Sequence, residues 1–267
     1  MRAVPAETYR RAVFTSILVL FGFGCLSGVT TVLFGFGGGF VTVPVVAAVT
    51  SSGDAMHIAI ATSTAVMVVN AGTATVVQAR AGRLRREYLW PLAAFIAAGA
   101  LAGSIAAAHV GDGLLRVLFA GYLGLTIADS LIRGGFLRAQ GEPRPLGTAT
   151  STAGGVGIGA VASFLGVGGS VLTVPLLRRR GLPMADATAM ANPLSVPVAV
   201  IGTAVYATAG SGPAGYLDPV AGAALLAGSL PTIAVVRRVA DRLPDRVHAI
   251  AYVLLLAVAL VAVAAGG

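Results

Sequence analysis

The sequence has no lysine, one cysteine and few charged side chains of any kind. Charged residues make up 10% of the chain, whereas an ordinary soluble domain has about 25%. The single cysteine, Cys25, lies inside an apolar run, so it has no partner for an intrachain disulfide and no neighbouring metal ligands. These shortages argue against a soluble domain, a disulfide framework and a cysteine-based metal site.

Apolar residues dominate the chain: 57% of its residues are hydrophobic and the mean hydropathy is +0.89. A helix needs about 20 apolar residues to cross a bilayer. Runs near that length cover residues 12–34, 57–79, 88–110, 113–133, 148–165, 184–208, 218–236 and 246–265. The sequence therefore predicts an all-α, polytopic integral membrane protein of about eight transmembrane helices.

The net charge is +8 because the chain has 18 arginines and 10 acidic residues. The arginines cluster between the apolar runs, where positive residues set membrane orientation, so the expected partner is the lipid bilayer and not nucleic acid. Clusters within 80–86, 133–144, 178–180 and 237–246 predict cytoplasmic loops. Arginine-free loops near 51–56, 109–113 and 209–217 predict external ones, and the C-terminus is then external.

A glycine-rich motif occurs twice in the chain, at a constant offset of 131 residues. The first copy, Leu33 to Pro44, reads LFGFGGGFVTVP, and the second, Phe164 to Pro175, reads FLGVGGSVLTVP. Six positions match at this spacing, which indicates a duplication. We therefore expect two homologous membrane repeats, 1–133 and 148–267, joined by a linker at 134–147 that is rich in Gly, Pro and Arg.

Each motif is expected to break a helix. The glycines let the backbone leave helical geometry, and Pro44 and Pro175 lack the amide hydrogen that a helix interior needs. The apolar pieces that follow, 40–50 and 170–177, are too short to cross a membrane, so we interpret them as half-helices of re-entrant segments. Further along, Pro193 and Pro197 predict a second discontinuity or a hinge.

The arginine pattern leaves two arrangements open. In the first, both repeats contain a re-entrant hairpin and three crossings, an odd number, so the repeats are inverted and the N-terminus is external. In the second, the first apolar run crosses fully, which suits the basic residues near the N-terminus but breaks the symmetry. We expect the inverted arrangement.

The half-helices suggest a binding site for an anion. A helix that begins at the middle of the membrane presents unpaired amides and a partial positive charge, and broken helices of inverted repeats hold substrates there. The candidate substrate-binding residues are the backbone amides of Gly37, Gly38, Gly39, Gly168, Gly169 and Ser170, the side chains of Thr42, Ser170 and Thr173, and Ser63 and Asn192 on the helices that follow. The alternative is that the glycines only let helices pack closely. Thr64 and Asn70 are expected to make interhelical hydrogen bonds instead.

The sequence shows no arrangement of residues typical of an intramembrane enzyme. Such an enzyme needs a nucleophile with a base, paired acids or a metal site. The three histidines, His57, His109 and His248, lie at the ends of apolar runs and lack metal-ligand spacing. We therefore predict neither an enzyme nor a bound metal or cofactor.

The doubled element G-x-G-G-[GS]-x-x-x-x-P resembles the TauE/SafE sulfite exporter family, because each copy closes an apolar helix and precedes an Ala-rich one. The resemblance covers essentially the whole chain and departs at Ser170, where the first copy has glycine. It implies a multi-pass permease of the bacterial inner membrane that moves small sulfur-containing anions, such as sulfite or organosulfonates. We hypothesise that the two repeats rock about a central site between the re-entrant segments, so that transport proceeds by alternating access. A passive anion channel, a membrane partner subunit without transport coupling and a homo-oligomer are left open.

Overall fold

The computed structural model describes residues 6–132, 136, 142–210, 212–238, 240 and 243–265, and these ranges are helical apart from the connecting turns. The first half contains α1 (Ala6–Phe34), α2 (Gly39–Val49), α3 (Ala55–Arg80), α4 (Arg86–Leu89), α5 (Leu92–Ala107) and α6 (Asp112–Ile132). The second contains a π-helical turn (Thr150–Gly154) that runs into α7 (Gly155–Leu165), then α8 (Ser170–Arg179), α9 (Met184–Thr208), α10 (Pro219–Val236) and α11 (Asp245–Ala265). The all-α prediction is confirmed.

Six helical stretches in the described ranges are long and apolar enough to cross a membrane. They are Phe14–Phe34, Ala55–Arg80, Arg86–Ala107, Asp112–Ile132, Met184–Thr208 and Pro219–Val236. The chain is therefore a polytopic membrane protein. The other two predicted runs form α11 and the shorter stretch Thr150–Leu165, so the count of eight stays a prediction. α1 has 29 residues and α7 has 11. A difference of this sign is predicted by the arrangement in which the first apolar run crosses the membrane fully. The orientation of the N-terminus also stays a prediction.

The half-helices are present where the motifs predict them. With 11 residues in α2 and 10 in α8, each is about 15 Å long, which is half of a hydrocarbon core of about 30 Å. Both breaks lie at the glycines, at residues 35–38 and 166–169. Pro44 and Pro175 lie inside the half-helices and not at the breaks.

The helices of the two halves pack in a reciprocal pattern. Helix α1 lies along α10 and α5 lies along α7, while α3 packs on α9 and α6 on α11. α1 and α7 are the helices that precede the first and the second break, and α5 and α10 occupy equivalent places after them. Because α1 packs on α10 and α7 packs on α5, each of these helices packs against the other half. This pattern is what two related halves would produce; the proposed boundaries of the repeats stay a prediction, and the linker 134–147 lies partly outside the described residues.

Glycines allow these helix pairs to approach until their backbones touch. A Cβ atom at Gly103 of α5 would lie 2.1 Å from the carbonyl oxygen of Ala160 in α7, and one at Gly24 of α1 would lie 2.2 Å from that of Leu225 in α10. Close approach of this kind, mediated by small residues, stabilises helix pairs in membranes, where lipid tails are as apolar as the helices themselves.

One arginine that the sequence places in a cytoplasmic loop lies instead inside α8. Arg178 is fully buried. Its guanidinium donates to both carboxylate oxygens of Asp245, at 3.0 and 2.9 Å, to the carbonyl of Phe136 and to that of Leu182 at 3.1 Å. Asp245 also accepts the backbone amide of Met184 at 2.6 Å. This buried arginine therefore connects α8, α9 and α11 behind the second half-helix.

Candidate functional site

Glycine at position 38 shapes the first break. Gly38 has φ 98°, in the left-handed region that disfavours side chains. A Cβ atom there would also lie 2.3 Å from the hydroxyl oxygen of Ser27 and 2.9 Å from the side-chain nitrogen of Asn70. The backbone at this position therefore turns sharply while pressed against α1 and α3.

Each break leaves a set of buried amides without a hydrogen-bond partner. Among the described residues, the backbone N–H groups of residues 37–40 donate to nothing, and the same holds for residues 168–171. All eight residues are buried. The second set equals the first shifted by 131 positions. Buried amides are nearly always paired in proteins, so the two matching sets at the N-termini of α2 and α8 form a candidate ligand site.

The two breaks lie against each other. A Cβ atom at Gly39 would lie 2.6 Å from the carbonyl oxygen of Gly166. Each break also packs on the long helix of the other half: a Cβ at Gly35 would lie 2.7 Å from that of Ala191 in α9, and one at Gly166 would lie 2.8 Å from a methyl group of Ile60 in α3. Ala191 and Ile60 are themselves 131 positions apart, so the crossing is reciprocal.

Met67 of α3 occupies the space between the breaks and is fully buried. A Cβ atom at Gly37 would lie 2.7 Å from its Cγ, while Cβ atoms at Gly168 and Gly39 would lie 2.6 and 3.5 Å from its sulfur. The side chain thus contacts both glycine sets. In this conformation, a thioether fills the space between the breaks.

Four of the predicted binding side chains are buried and carry an atom without a hydrogen-bond partner among the described residues. These atoms are the hydroxyl oxygens of Ser63, Ser170 and Thr173 and the amide oxygen of Asn192. Ser170 and Thr173 belong to the first turn of α8. Ser63 lies one turn before Met67, on the same side of α3. Buried hydroxyls normally have a partner, so these atoms are available to a ligand.

Asn192 lies beside the first break. Its side-chain nitrogen donates to the carbonyl oxygen of Thr31 at 3.1 Å, and that carbonyl also accepts the amide of Gly35 at 3.2 Å. The unpartnered atom is an acceptor, so in this orientation it suits a water or a protonated anion. Thr42 differs from its counterpart Thr173, because its hydroxyl donates to the carbonyl of Gly38 at 3.1 Å.

The predicted helix-breaking prolines lie inside helices. Pro175 cannot bond the carbonyl of Val171 one turn earlier, and that carbonyl accepts the hydroxyl of Tyr252 at 3.1 Å. Pro193 and Pro197 lie inside α9, which continues without interruption from Met184 to Thr208. The predicted second discontinuity is therefore absent from this helix, and a hinge there stays a prediction.

The sequence singled out Asn70 beside the first break, but not its partners Ser27 and Ser229. Asn70 donates to the hydroxyl oxygen of Ser27 in α1 at 3.3 Å and accepts from that of Ser229 in α10 at 2.8 Å. The prediction of interhelical bonds is thus confirmed for Asn70. It is wrong for Thr64, which donates to the carbonyl of Ala61 in its own helix at 2.8 Å. Polar residues in apolar helices were the signal for this cluster, but its partners lie far apart in sequence.

One group in the described residues has the composition of a metal site. The ligand atoms of Asp54, His57 and Asp112 lie within 4.8 Å of one another. However, both ring nitrogens of His57 are already engaged, one with Asp112 at 2.6 Å and the other with the carbonyl oxygen of Ala107 at 3.2 Å. Asp112 also accepts the backbone amide of Met56 at 2.7 Å. A metal ion would have to displace these bonds, so the cluster is better described as an anchor that holds the start of α3.

A large groove runs beside the second break. Its volume is about 1060 Å³, and α5, α6, α7 and α8 line it with mainly apolar side chains, including Val171, Leu172 and Pro175. Exposed residues such as Val117 and Leu118 form one side of it. An open, apolar groove on the outside of a membrane protein is a surface for lipid tails and not for a free anion.

The fold and the two breaks define a class: a helical, multi-pass membrane protein with a pair of interrupted helices in contact at its centre. The family model described as sulfite exporter TauE/SafE matches residues 20–263. The chain therefore belongs to the TauE/SafE family, whose members are membrane transporters of sulfite and related sulfur anions. No curated protein and no solved structure matches it.

Proposed function

We propose that this protein carries a small sulfur oxyanion, such as sulfite or an organosulfonate, across the bacterial inner membrane, and that it binds the anion between α2 and α8. The proposal is supported mainly by the two matching sets of buried, unpartnered amides at the N-termini of these helices. Each N-terminus carries a partial charge of about +0.5, so together they offset roughly one negative charge.

The unpartnered hydroxyls supply the donors that an oxyanion needs beyond the amides. Ser170 and Thr173 are in the first turn of α8, and Ser63 is on α3 next to Met67. A sulfur oxyanion presents several oxygen acceptors, each of which can take more than one hydrogen bond. Donors from both half-helices would therefore hold it from two sides.

Alternating access requires that the site open toward one side of the membrane at a time. With Met67 between the breaks, the site is closed, and binding requires this side chain to move. Methionine has three rotatable bonds and readily repacks. In the proposed cycle, the halves move against each other at the contact between Gly39 and Gly166, and Met67 leaves the space that the anion enters.

The variant Ser170→Ala tests the site. The hydroxyl oxygen has no partner in the fold, so its removal leaves stability unchanged or improves it by up to about 1–3 kcal/mol. A hydrogen bond to a charged ligand contributes about 1.5–3 kcal/mol, which corresponds to a loss of affinity of about 10- to 150-fold. We expect a higher KM for sulfite in proteoliposomes at an unchanged or higher melting temperature.

The matched control is Ser104→Ala on α5. Ser104 is also fully buried, but its hydroxyl donates to the carbonyl of Ala100 in the same helix at 2.8 Å. Its replacement should leave the KM unchanged. An unchanged KM for Ser170→Ala would place the anion elsewhere.

Exchange measurements separate a transporter from a channel. Proteoliposomes loaded with unlabelled sulfite should accelerate the uptake of labelled sulfite, and the rate should saturate. A rate that rises linearly with concentration and does not respond to the loaded anion would instead indicate a channel. The same liposomes tested with sulfate, thiosulfate, taurine and sulfoacetate define the substrate.

A further inference from the structure

We infer that a second cavity, bounded by Arg237 and Arg238, is an anion-collecting vestibule that leads to the first break. The inference rests on the proposed function and adds the route by which the anion reaches the site. It assigns a binding role to arginines whose placement the sequence explains by membrane orientation alone.

The vestibule has a volume of about 310 Å³ and lies where the ends of α1, α3, α9, α10 and α11 meet. Water occupies about 30 Å³ per molecule in the liquid, so this space admits a hydrated anion. Arg237 and Arg238, which directly follow α10, line it together with Arg83. Gln78, Thr188 and His248 supply further polar side chains.

The ionised side chains among the described residues of the lining are arginines. No acidic side chain occurs among the described residues that line it, and Arg237 and Arg238 are exposed. These two arginines form no ion pair with an acidic residue that the structure describes. A concave surface of one sign, bordered by apolar walls, raises the local concentration of counter-ions and their rate of binding by about 10- to 1000-fold. This surface selects small anions.

The inner end of the vestibule contacts the first break. Thr188 lines the cavity, and a Cβ atom at Gly35 would lie 2.7 Å from its carbonyl oxygen. Asn192, with its unpartnered and buried amide oxygen, follows one helical turn after Thr188. His248 contacts the carbonyl of Leu33 in the last turn of α1. Thr188 therefore joins the vestibule to the first break at Gly35, and Asn192 lies one helical turn further along α9.

Thiol labelling tests the charge of the vestibule without requiring transport. Ala185 lines the cavity and is exposed, so the variant Ala185→Cys, made with Cys25→Ala, places one thiol at its outer end. An anionic methanethiosulfonate should react faster than a cationic one, and added sulfate should slow the anionic reagent. When Arg237→Gln and Arg238→Gln are added to this variant, we expect the ratio of the anionic to the cationic labelling rate to fall about tenfold.

The matched control is Arg246→Gln. Arg246 is exposed near the start of α11 and does not line the cavity, yet its removal takes one charge from the same segment. The control should leave the ratio of rates within about twofold. An equal fall in the control, or no fall in the double variant, would overturn the vestibule. Should the double variant fail to insert, Arg238→Gln alone gives the same comparison.

Transport measured from each side then connects the vestibule to the site. In oriented proteoliposomes, Arg238→Gln should raise the KM for sulfite several-fold when sulfite enters from the side of the vestibule. An unchanged KM on that side would contradict the inference. If the unaltered protein carries neither sulfite nor any of the other sulfur anions tested, the proposed function fails, while the labelling ratio still decides whether the vestibule attracts anions.

Discussion

Replacing Gly39 with alanine places one methyl group at the contact between the two breaks. The new carbon would lie 2.6 Å from the carbonyl oxygen of Gly166, whereas an ordinary contact starts at 3.4 Å. The breaks would therefore have to separate by about 0.8 Å. The methyl carbon is fixed directly to the backbone and its partner is a backbone oxygen, both in buried segments, so neither can give way by a side-chain rotation.

Two energetic effects of this substitution oppose each other. Alanine favours a helix over glycine by about 0.5–1 kcal/mol, and Gly39 is the first residue of α2 with a φ outside the left-handed region. Overpacking of a close contact costs about 1–3 kcal/mol. The difference is a net loss of stability of up to about 2.5 kcal/mol, together with a displacement of the two sets of amides.

The displacement should affect transport more than folding. If it removes one hydrogen bond to the anion, worth about 1.5–3 kcal/mol, affinity falls about 10- to 150-fold. The assay is saturable sulfite uptake in proteoliposomes, measured beside a melting curve in detergent. Ser170 is the natural comparison, because it occupies the equivalent position of the second motif and already carries a Cβ atom. Uptake and melting temperature that both match the unaltered protein would show that the contact yields freely and would refute its role in binding.

Two further predictions concern the framework around the site. Arg178→Met removes the ion pair with Asp245, whose side chain is 42% exposed, and the donors to the carbonyls of buried Phe136 and Leu182. A buried carbonyl left without its donor costs about 1–3 kcal/mol, so the melting temperature should fall, and an unchanged value would argue against this connection. Gly103→Val would place a Cβ atom 2.1 Å from the carbonyl oxygen of Ala160 and should separate α5 from α7. Gly124→Val should be tolerated, because nothing lies within 4 Å of its Cβ position. Equal yields of folded protein from both variants would contradict the close packing.

The sequence alone determined the features that depend on local backbone chemistry and on hydropathy. Apolar runs of membrane length predicted helices, and glycines followed by a proline predicted half-helices at 40–50 and 170–177, close to the observed α2 and α8. The repeated motif also predicted which amides would lack partners, because a helix that starts after a break cannot satisfy its own first N–H groups. Family membership could likewise be inferred from that motif.

Only the tertiary structure decided which groups meet. The contact of Gly39 with Gly166, the position of Met67 between the breaks and the bonds of Asn70 to Ser27 and Ser229 join residues that are far apart in the chain. Likewise, Arg178 looked like a loop arginine in the sequence, yet packing buries it against Asp245. Local rules constrain each backbone segment by itself, whereas these contacts depend on how closely small residues let whole helices approach one another.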